Sequence, residues 1–189
     1  MGMPAEAPRR WTAREVAEMQ QEDRPFPRFE LIDGDLLVTP SPGSPHQFVV
    51  AELFFRLYGH LRGHPEVRAL MSPADIRLDP TTVVQPDIFV FPRGTEPLTV
   101  WSAIRSLLLA VEVVSPGSKR RDRTIKRDFY MSRGVAEYWI VDVDAQTIEC
   151  WLAADHAASY HTTTIEWRVP GIPEPLVIDI PELFHAAIG

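Results

Sequence analysis

The spacing of hydrophobic and polar residues near the start of the chain predicts a helix followed by a hairpin. Residues 12–20 read TAREVAEMQ, where Thr12 and Glu15 have the capping-box spacing that predicts a helix from about residue 13. Residues 29–38 read FELIDGDLLV, two alternating runs joined by Asp33-Gly34. A two-residue Asp-Gly connection between such runs predicts a tight β-hairpin.

Residues 44–63, SPHQFVVAELFFRLYGHLRG, have the pattern of a long amphipathic helix. Ser44 is the predicted N-cap, Pro45 the first helical residue and Gln47 the partner in a capping box, and Gly63 ends the helix. Apolar residues recur at helical spacing in one predicted stripe, formed by Phe48, Ala51, Phe54, Tyr58 and Leu61.

The middle and end of the chain read as strands that a further helix interrupts. Predicted strands are EVRALM, ADIRLD, VVQPDIFVF, LLLAVEVV, VAEYWIVD, TIECWLA and LVIDI. LLLAVEVV is apolar on both faces, which is typical of a central strand. SKRRDRTIKRDFYMSRG predicts a helix that ends at Gly134. This order indicates an α+β domain built around a mixed sheet.

Composition indicates one soluble domain. The 189 residues are 45% hydrophobic and 24% charged, as in globular proteins that bury a full core. The longest apolar stretches are too short to span a bilayer, and residues 1–19 contain no apolar signal region, so we expect a cytoplasmic protein without membrane contact. The single cysteine, Cys150, excludes an internal disulfide and lies in a predicted core strand.

Charge is unevenly distributed. The net charge of -7 argues against non-specific coating of nucleic acid, so any such contact must be local. Seven of the 19 Lys and Arg residues lie between Lys119 and Arg133, in a segment that we call the basic helix. The basic helix is the predicted source of phosphate contacts. The alternative is a solvated helix face with ordinary i, i+4 ion pairs.

Two predicted strands carry a carboxylate within an apolar run. Asp87 interrupts VVQPDIFVF and Glu112 interrupts LLLAVEVV. Burying an unpaired carboxylate costs several kcal/mol, so such acids require a cation or a strand end that reaches solvent. Two of them in neighbouring strands are consistent with one shared Mg²⁺ or Mn²⁺ ion. Glu30, in FELI, is a weaker candidate because one side of a hairpin strand can face water.

The basic helix offers a lysine to this acidic site. Asp122, Lys126 and Tyr130 follow at i, i+4 and i+8 and therefore share one side of the helix. A lysine there can lean back toward the preceding strand, where it would orient a water or stabilise charge on a phosphate.

The ordered motifs resemble a known nuclease group. A proline-aspartate pair followed 25 residues later by an acid in a hydrophobic strand, and then by a helix, resembles the PD-(D/E)xK superfamily. FELIDGDLLV, SPGSPHQ, VVQPDIFV, VEVVSPGS, DRTIKRDFY and GVAEYWIVD are together similar to the bacterial Uma-type family, from about residue 25 to residue 153. The resemblance implies a restriction-endonuclease-like, α/β/α-like core of a mixed sheet flanked by helices, with an N-terminal β-hairpin. It further implies one domain over residues 1–189, with residues 1–24 as a helical extension and residues 154–189 as C-terminal strands and a short helix.

By position, the resemblance implies that Glu30, Asp87 and Glu112 are catalytic, with Asp87 and Glu112 as ligands of Mg²⁺ or Mn²⁺. The superfamily lysine would stand two residues after Glu112, where this chain has Val114. The resemblance therefore implies a lysine that has migrated to the basic helix. Lys126 is the implied catalytic lysine, Lys119 is the less favoured substitute, and His46 in SPHQ is a secondary candidate.

The expected function is a metal-dependent endonuclease that hydrolyses phosphodiester bonds of nucleic acid, with DNA as the expected substrate and a homodimer as the expected assembly. The first alternative is a catalytically inactive module with a binding or regulatory role, which Val114 in the lysine position would favour. The second is an oligomeric scaffold that uses the late strands TIECWLA and IEWRVP as a partner surface.

Overall fold

A computed structural model describes residues 9–20, 27–39, 41–79, 81–94, 101–115, 117–155 and 157–189. The strands are β1 (Arg28–Ile32), β2 (Asp35–Thr39), β3 (Val67–Met71), β4 (Ile88–Pro92), β5 (Leu109–Val114), β6 (Glu137–Asp142), β7 (Thr147–Leu152), β8 (Ser159–His161), β9 (Thr164–Trp167) and β10 (Leu176–Asp179). The helices are α1 (Ala13–Gln20), α2 (Ser44–Leu61), a short 3₁₀ turn (Trp101–Ala103), α3 (Lys119–Arg121), a π-helical turn (Asp122–Lys126), α4 (Arg127–Ser132) and α5 (Ile180–Ile188).

Six strands of the described residues form one mixed sheet in the order β3-β4-β5-β6-β7-β8. Only β5 and β6 pair in parallel, and the basic helix connects them, as a parallel pair requires a crossover. All six residues of β5 are buried, which confirms the predicted central strand.

Helices cover both faces of the sheet. Alternate residues of β5 point to opposite sides. Val111 and Val113 pack in a cluster with α2 and α5, whereas Ala110 and Val114 pack in a second cluster with Phe129 and other residues of the opposite face. This arrangement confirms the predicted mixed α+β fold. It also places Glu112 on the side of the sheet that faces the basic helix.

The hairpin and the first helix form as the sequence predicts. Asp33 and Gly34 both have positive φ, 49° and 85°, which is the backbone that a two-residue hairpin turn requires. The backbone N–H of Thr12 donates to Glu15 Oε2 at 2.8 Å, and the N–H of Glu15 donates to Thr12 Oγ1 at 3.3 Å, completing the capping box.

The hairpin is fixed to the rest of the fold by paired backbone hydrogen bonds. The N–H of Leu31 donates to the carbonyl of Val83 at 2.7 Å, and the N–H of Val83 donates back at 2.8 Å. This bridge brings β1 beside the segment that leads into β4.

Two predicted strands are shorter than expected. ADIRLD, residues 74–79, forms only a single bridge between Ile76 and Val84, because the N–H of Ile76 also bonds Ala74 and the chain turns there. VVQPDIFVF contributes β4 only from Ile88 onward, since Pro86 lacks the N–H that a continuous ladder needs. Asp87 therefore lies immediately before β4 rather than within it.

The predicted start, end and stripe of α2 are also corrected. Gly43 is the N-cap, no side chain caps the helix, Ser44 is already helical, and the C-cap is Arg62 rather than Gly63. Of the predicted stripe, Phe48 and Tyr58 are 57% and 51% exposed. The buried face consists instead of His46, Val49, Val50, Leu53, Leu57 and Leu61.

The structure also bears on Cys150 and on membrane-spanning helices. Cys150 is buried and unpaired, as its core strand predicts. No described helix combines the length and apolar character that crossing a bilayer demands.

Candidate active site

A cleft of about 150 Å³ opens between the hairpin, the N-terminus of α2, the end of β5 and the basic helix. The four residues predicted to be catalytic line it together. The charged and titratable residues that line it are Arg28, Glu30, His46, Asp87, Glu112, Arg121, Asp122 and Lys126. The elements that carry them are far apart in sequence, so the tertiary fold creates the cleft.

Lys126 reaches the acids from the basic helix. Its Nζ lies 2.8 Å from Glu112 Oε1, 2.9 Å from Glu30 Oε2 and 3.8 Å from Asp122 Oδ1. Lys126 is only 3% exposed and is the last residue of the π-helical turn. Turns of this kind interrupt α-helices frequently at functional sites.

The carboxylates keep this buried lysine charged. Burial alone lowers the pKa of an amine, but the negative charges of Glu112, Glu30 and Asp122 outweigh it and raise the pKa of Lys126 above its ordinary value. The lysine is thus a permanent cation at neutral pH.

Glu112 lies at the centre of the cluster. Its Oε1 accepts hydrogen bonds from Lys126 and, at 3.1 Å, from the hydroxyl of Tyr130. Burial raises the pKa of Glu112 well above its ordinary value; Lys126 opposes this change, whereas Asp122, Glu30 and Asp87 reinforce it. Burial likewise raises the pKa of Asp122.

Asp87 has a different environment from Glu112. Its Oδ1 pairs with Arg28 at 3.3 Å, and its Oδ2 accepts from His46 Nε2 and from the N–H of Val113, both at 3.0 Å. Burial would raise the pKa of Asp87, but the hydrogen bond and charge of His46, together with the charges of Arg28 and Lys126, lower it overall. Asp87 therefore stays ionised more readily than Glu112 or Asp122.

Glu30 is more deeply buried than its place in a hairpin suggests. It is 2% exposed, its Oε1 accepts the N–H of Gln85 at 2.8 Å, and its Oε2 faces Lys126. The side chain of Glu30 does not face solvent as expected, because the bridge between Leu31 and Val83 holds the hairpin over the cleft.

Three further residues belong to the site. His46, a secondary candidate from the sequence, is buried against Asp87. Arg28 was not predicted, since its partner lies 59 positions away and no local pattern indicates the contact. Asp122 lies on the same helix face as Lys126, four positions earlier. The spacing that pointed to Lys126 could therefore also have predicted that Asp122 belongs to the site. Asp122 Oδ1 is buried and accepts no hydrogen bond from the described residues.

The alternative lysine does not reach the cluster. Lys119 Nζ binds Asp142 Oδ1 at 2.8 Å and Asp144 Oδ2 at 3.0 Å. Val114, at the superfamily's lysine position, is buried in the apolar cluster beside Phe129. The lysine nearest to Glu112 therefore comes from the helix and not from the strand.

Most cations of the basic helix bind groups of the same chain. The sequence predicted instead that they would be available to contact phosphate. Besides Lys119 and Lys126, Arg123 binds Glu149 and Asp142, and Arg133 binds Asp79 and Asp33. The guanidinium of Arg121 donates to Val38 and Thr39, and that of Arg127 pairs with Asp128 and lies over the ring of Trp151. Of the seven, Arg120 is exposed and its side chain forms no ion pair with the described residues.

Comparison with known proteins identifies the family. The model of the Uma2 family, described as "Putative restriction endonuclease", matches residues 14–182. The chain belongs to the Uma2 family. Among solved structures, this Uma2 protein is similar to one from Anabaena variabilis ATCC 29413, described as "a putative nuclease belonging to DUF820". The two share 19% sequence identity with a TM-score of 0.69, and the match covers 92% of this chain and 98% of the other.

No curated protein matches the chain significantly. The structural likeness concerns the fold, and membership of the Uma2 family supports a nuclease. Restriction-endonuclease-like families generally use divalent metal ions.

The side chains of the Uma2 protein fit such an ion chemically, although no three described His, Cys, Asp or Glu residues are arranged as a ready-made metal site. Four carboxyl groups line the cleft with three basic side chains. The acids are Glu30, Asp87, Glu112 and Asp122, and the basic residues are Arg28, Arg121 and Lys126. Carboxylate oxygens are the donors that Mg²⁺ and Mn²⁺ prefer. The excess of acid and the unbonded Oδ1 of Asp122 favour an additional cation.

Proposed function

We propose that this Uma2 protein is a metal-dependent endonuclease that hydrolyses phosphodiester bonds of nucleic acid, with DNA as the substrate. Glu30, Asp87, Glu112 and Lys126 are its catalytic residues. The observation that carries the proposal is the 2.8 Å contact between Lys126 Nζ and Glu112 Oε1, which joins an acid and a lysine in one cleft. Membership of a nuclease family supports the same reaction class.

Asp87 and Glu112 would hold the metal ion, Mg²⁺ or Mn²⁺. When bound, the ion supplies a Lewis acid that activates water and neutralises charge on the scissile phosphate. Asp87 suits this role because its lowered pKa keeps it ionised. Glu112 brings a second oxygen donor from the neighbouring strand.

Lys126 acts as a donor and not as a base. Its raised pKa keeps the ammonium protonated, and two of its three N–H groups are directed at Glu30 and Glu112. The remaining donor can orient a water or stabilise the negative charge that builds on the phosphate. Glu30 keeps Lys126 in place, and the hydroxyl of Tyr130 orients Glu112.

The decisive experiment measures cleavage of single- and double-stranded DNA and RNA in Mg²⁺ or Mn²⁺. The intact protein is compared with Glu112→Gln and Lys126→Met, and Arg14→Met serves as the control because Arg14 is exposed on α1. We expect metal-dependent cleavage that falls by at least about 100-fold in both site variants and is unchanged in the control. Circular dichroism verifies that each variant is folded.

Failure of the intact protein to cleave any substrate with either metal would contradict the proposal. Such a result would favour the inactive binding or regulatory module, with Lys126 serving only as the counter-charge of buried acids.

A further inference from the structure

The long helix α2 has two apolar faces, and only one of them is covered by the described residues. The buried face packs against the sheet and α5. On the opposite side, Phe48, Phe55 and Tyr58 are 57%, 71% and 51% exposed. With the exposed Ala51 between them, these side chains form a surface that we call the aromatic stripe, Phe48, Ala51, Phe55 and Tyr58.

The spacing of the aromatic stripe is that of a helix-pairing seam. Its members follow at intervals of three, four and three residues, as a and d positions do in a heptad. A helix that is apolar on opposite faces is normally buried on both. This spacing therefore predicts that a second helix packs on the aromatic stripe.

We propose that α2 of a second copy of this chain covers the aromatic stripe in an antiparallel, two-fold symmetric pair. In a symmetric contact the same patch faces itself. With the axis at the level of Leu53, Phe48 meets Tyr58 of the second copy, and the small Ala51 meets the large Phe55. A parallel pair in register would instead place Phe55 on Phe55 and leave a gap between the two alanines.

Charge also favours this occupant. Glu52 borders the aromatic stripe, and Arg56, which pairs with Glu52 and Glu182 of its own chain, follows one turn later. The antiparallel register brings Glu52 of each copy within about 3 Å, along the axis, of the level of Arg56 of the other. Antiparallel helix dipoles attract, whereas parallel ones repel. Nucleic acid is a poorer occupant because the stripe carries no lysine and the chain has a net charge of -7.

The expected dimer is weak. Six half-exposed aromatic side chains, three from each copy, supply on the order of 700 Å² of buried area. Stable interfaces start at about 1,200 Å² in total, so the polar flanks must supply the remainder. We therefore expect dissociation on dilution. The two clefts would lie at opposite ends of the helix pair, on the order of 20 Å apart along its axis, and stay open.

The first test is the mass of the protein in solution across a wide concentration range, measured by analytical ultracentrifugation. We expect twice the chain mass of 21.4 kDa at high concentration, and the single mass on dilution. Phe55→Glu should remain a monomer at every concentration. The matched control is Val177→Glu, since Val177 is 57% exposed on β10, and it should still form dimers.

The second test fixes the register. A mixture of Ala51→Cys and Phe55→Cys proteins should form a mixed disulfide under mild oxidation, faster than either variant alone, while the native Cys150 is buried and stays reduced. A monomeric intact protein at all concentrations, or dimers that survive Phe55→Glu, would overturn the proposal. Preferential self-cross-linking of Ala51→Cys would overturn the antiparallel arrangement. Cleavage activity plays no part in these readouts, so they are independent of the proposed nuclease function.

Discussion

Lys126 and Glu112 lie in different elements, 14 positions apart, yet their side chains are in contact at 2.8 Å in a buried cleft. The strand supplies the acid and the following helix supplies the cation. Because Glu30 and Asp122 also face the lysine, one ammonium group balances several carboxylates. This shared dependence makes Lys126 the residue whose loss should have the largest effect on the site.

Replacing Lys126 by Met should destabilise the protein by about 3–5 kcal/mol at pH 8, because breaking a buried ion pair leaves uncompensated charge. The loss should shrink at acidic pH. Without Lys126, the folded-state pKa of Glu112 rises even further above its unfolded value of 4.5. The loss of folding free energy that this causes is fully present when the pH is above the pKa of Glu112 in the folded state. It disappears as the pH falls below the pKa of Glu112 in the unfolded state. Urea unfolding at pH 4 and pH 8 measures how far the loss shrinks on acidification.

Two comparisons make this prediction specific. Adding Glu112→Gln to Lys126→Met should restore part of the stability at pH 8, since it removes one of the unpaired charges. Arg14→Met, which breaks an exposed ion pair with Glu18, should change the free energy of unfolding by less than about 1 kcal/mol. Equal losses for Lys126→Met at both pH values would show that packing, not charge, dominates.

His46 is expected to position Asp87. Replacing His46 by Ala removes the contact to Asp87 Oδ2 and should weaken Mn²⁺ binding by about 10- to 100-fold, as losing an outer partner of a metal ligand commonly does. His46→Asn, which retains a side-chain donor, should recover part of the affinity. Titration calorimetry with Mn²⁺ measures the binding, and His64→Ala is the control because His64 lies beyond the other end of α2. Unchanged Mn²⁺ affinity in His46→Ala would contradict this role.

Local patterns predicted the elements that carry the site. Asp33-Gly34 determines the hairpin turn, the apolar run around Glu112 determines a central strand, and the helical spacing from Asp122 to Tyr130 directs Lys126 toward that strand. Each of these signals lies within one short segment. They suffice because side-chain direction follows from strand and helix periodicity.

The remainder of the site depends on contacts between distant segments. Arg28 and His46 meet at Asp87 across 59 and 41 positions, and Glu30 is buried because the hairpin docks beside Val83. The face of α2 could not be chosen from periodicity, since the helix is apolar on both sides and the sheet decides which one it buries. The late start of β4, at Ile88 and after Asp87, follows from the missing N–H of Pro86.

Glu137, at the start of β6, should make the protein less stable as the pH rises. Burial raises the pKa of Glu137 to about 7, above its ordinary value of 4.5. A carboxyl group whose pKa is raised in the folded state contributes its full stability when the pH is below its unfolded-state pKa. That stability is lost as the pH rises through its folded-state pKa. Allowing for partial solvent screening, the loss between pH 4.5 and pH 7 should be about 1–2 kcal/mol.

Thermal melting at pH 5 and pH 8 tests this prediction for Glu137. The Glu137→Gln variant should lose the part of the pH dependence that this carboxyl group causes, and should be more stable than the intact protein at pH 8. Glu166→Gln is the control, because Glu166 is exposed on β9. An unchanged difference between the two pH values in Glu137→Gln would exclude this group as its source.

The internal ion pairs of the basic helix limit how strongly salt should weaken nucleic-acid binding. Each phosphate contact adds about 0.9 to the slope of the logarithm of affinity against the logarithm of salt concentration. Of the seven cations, Arg120 is exposed without an ion pair to the described residues, whereas Arg123 is held by Glu149 at 2.8 Å. We therefore expect a slope of about one to two from this helix, not the slope of about six that seven contacts would give.

Fluorescence anisotropy with a labelled DNA duplex, at several salt concentrations and without divalent metal, measures this slope. Arg120→Ala should reduce it by about one, as the loss of one phosphate contact would. Arg123→Ala should leave the slope unchanged while lowering the melting temperature, because its guanidinium joins the basic helix to Asp142 and Glu149 in β6 and β7. A slope of about six would mean that the internal ion pairs open on binding, and that the whole basic helix contacts phosphate.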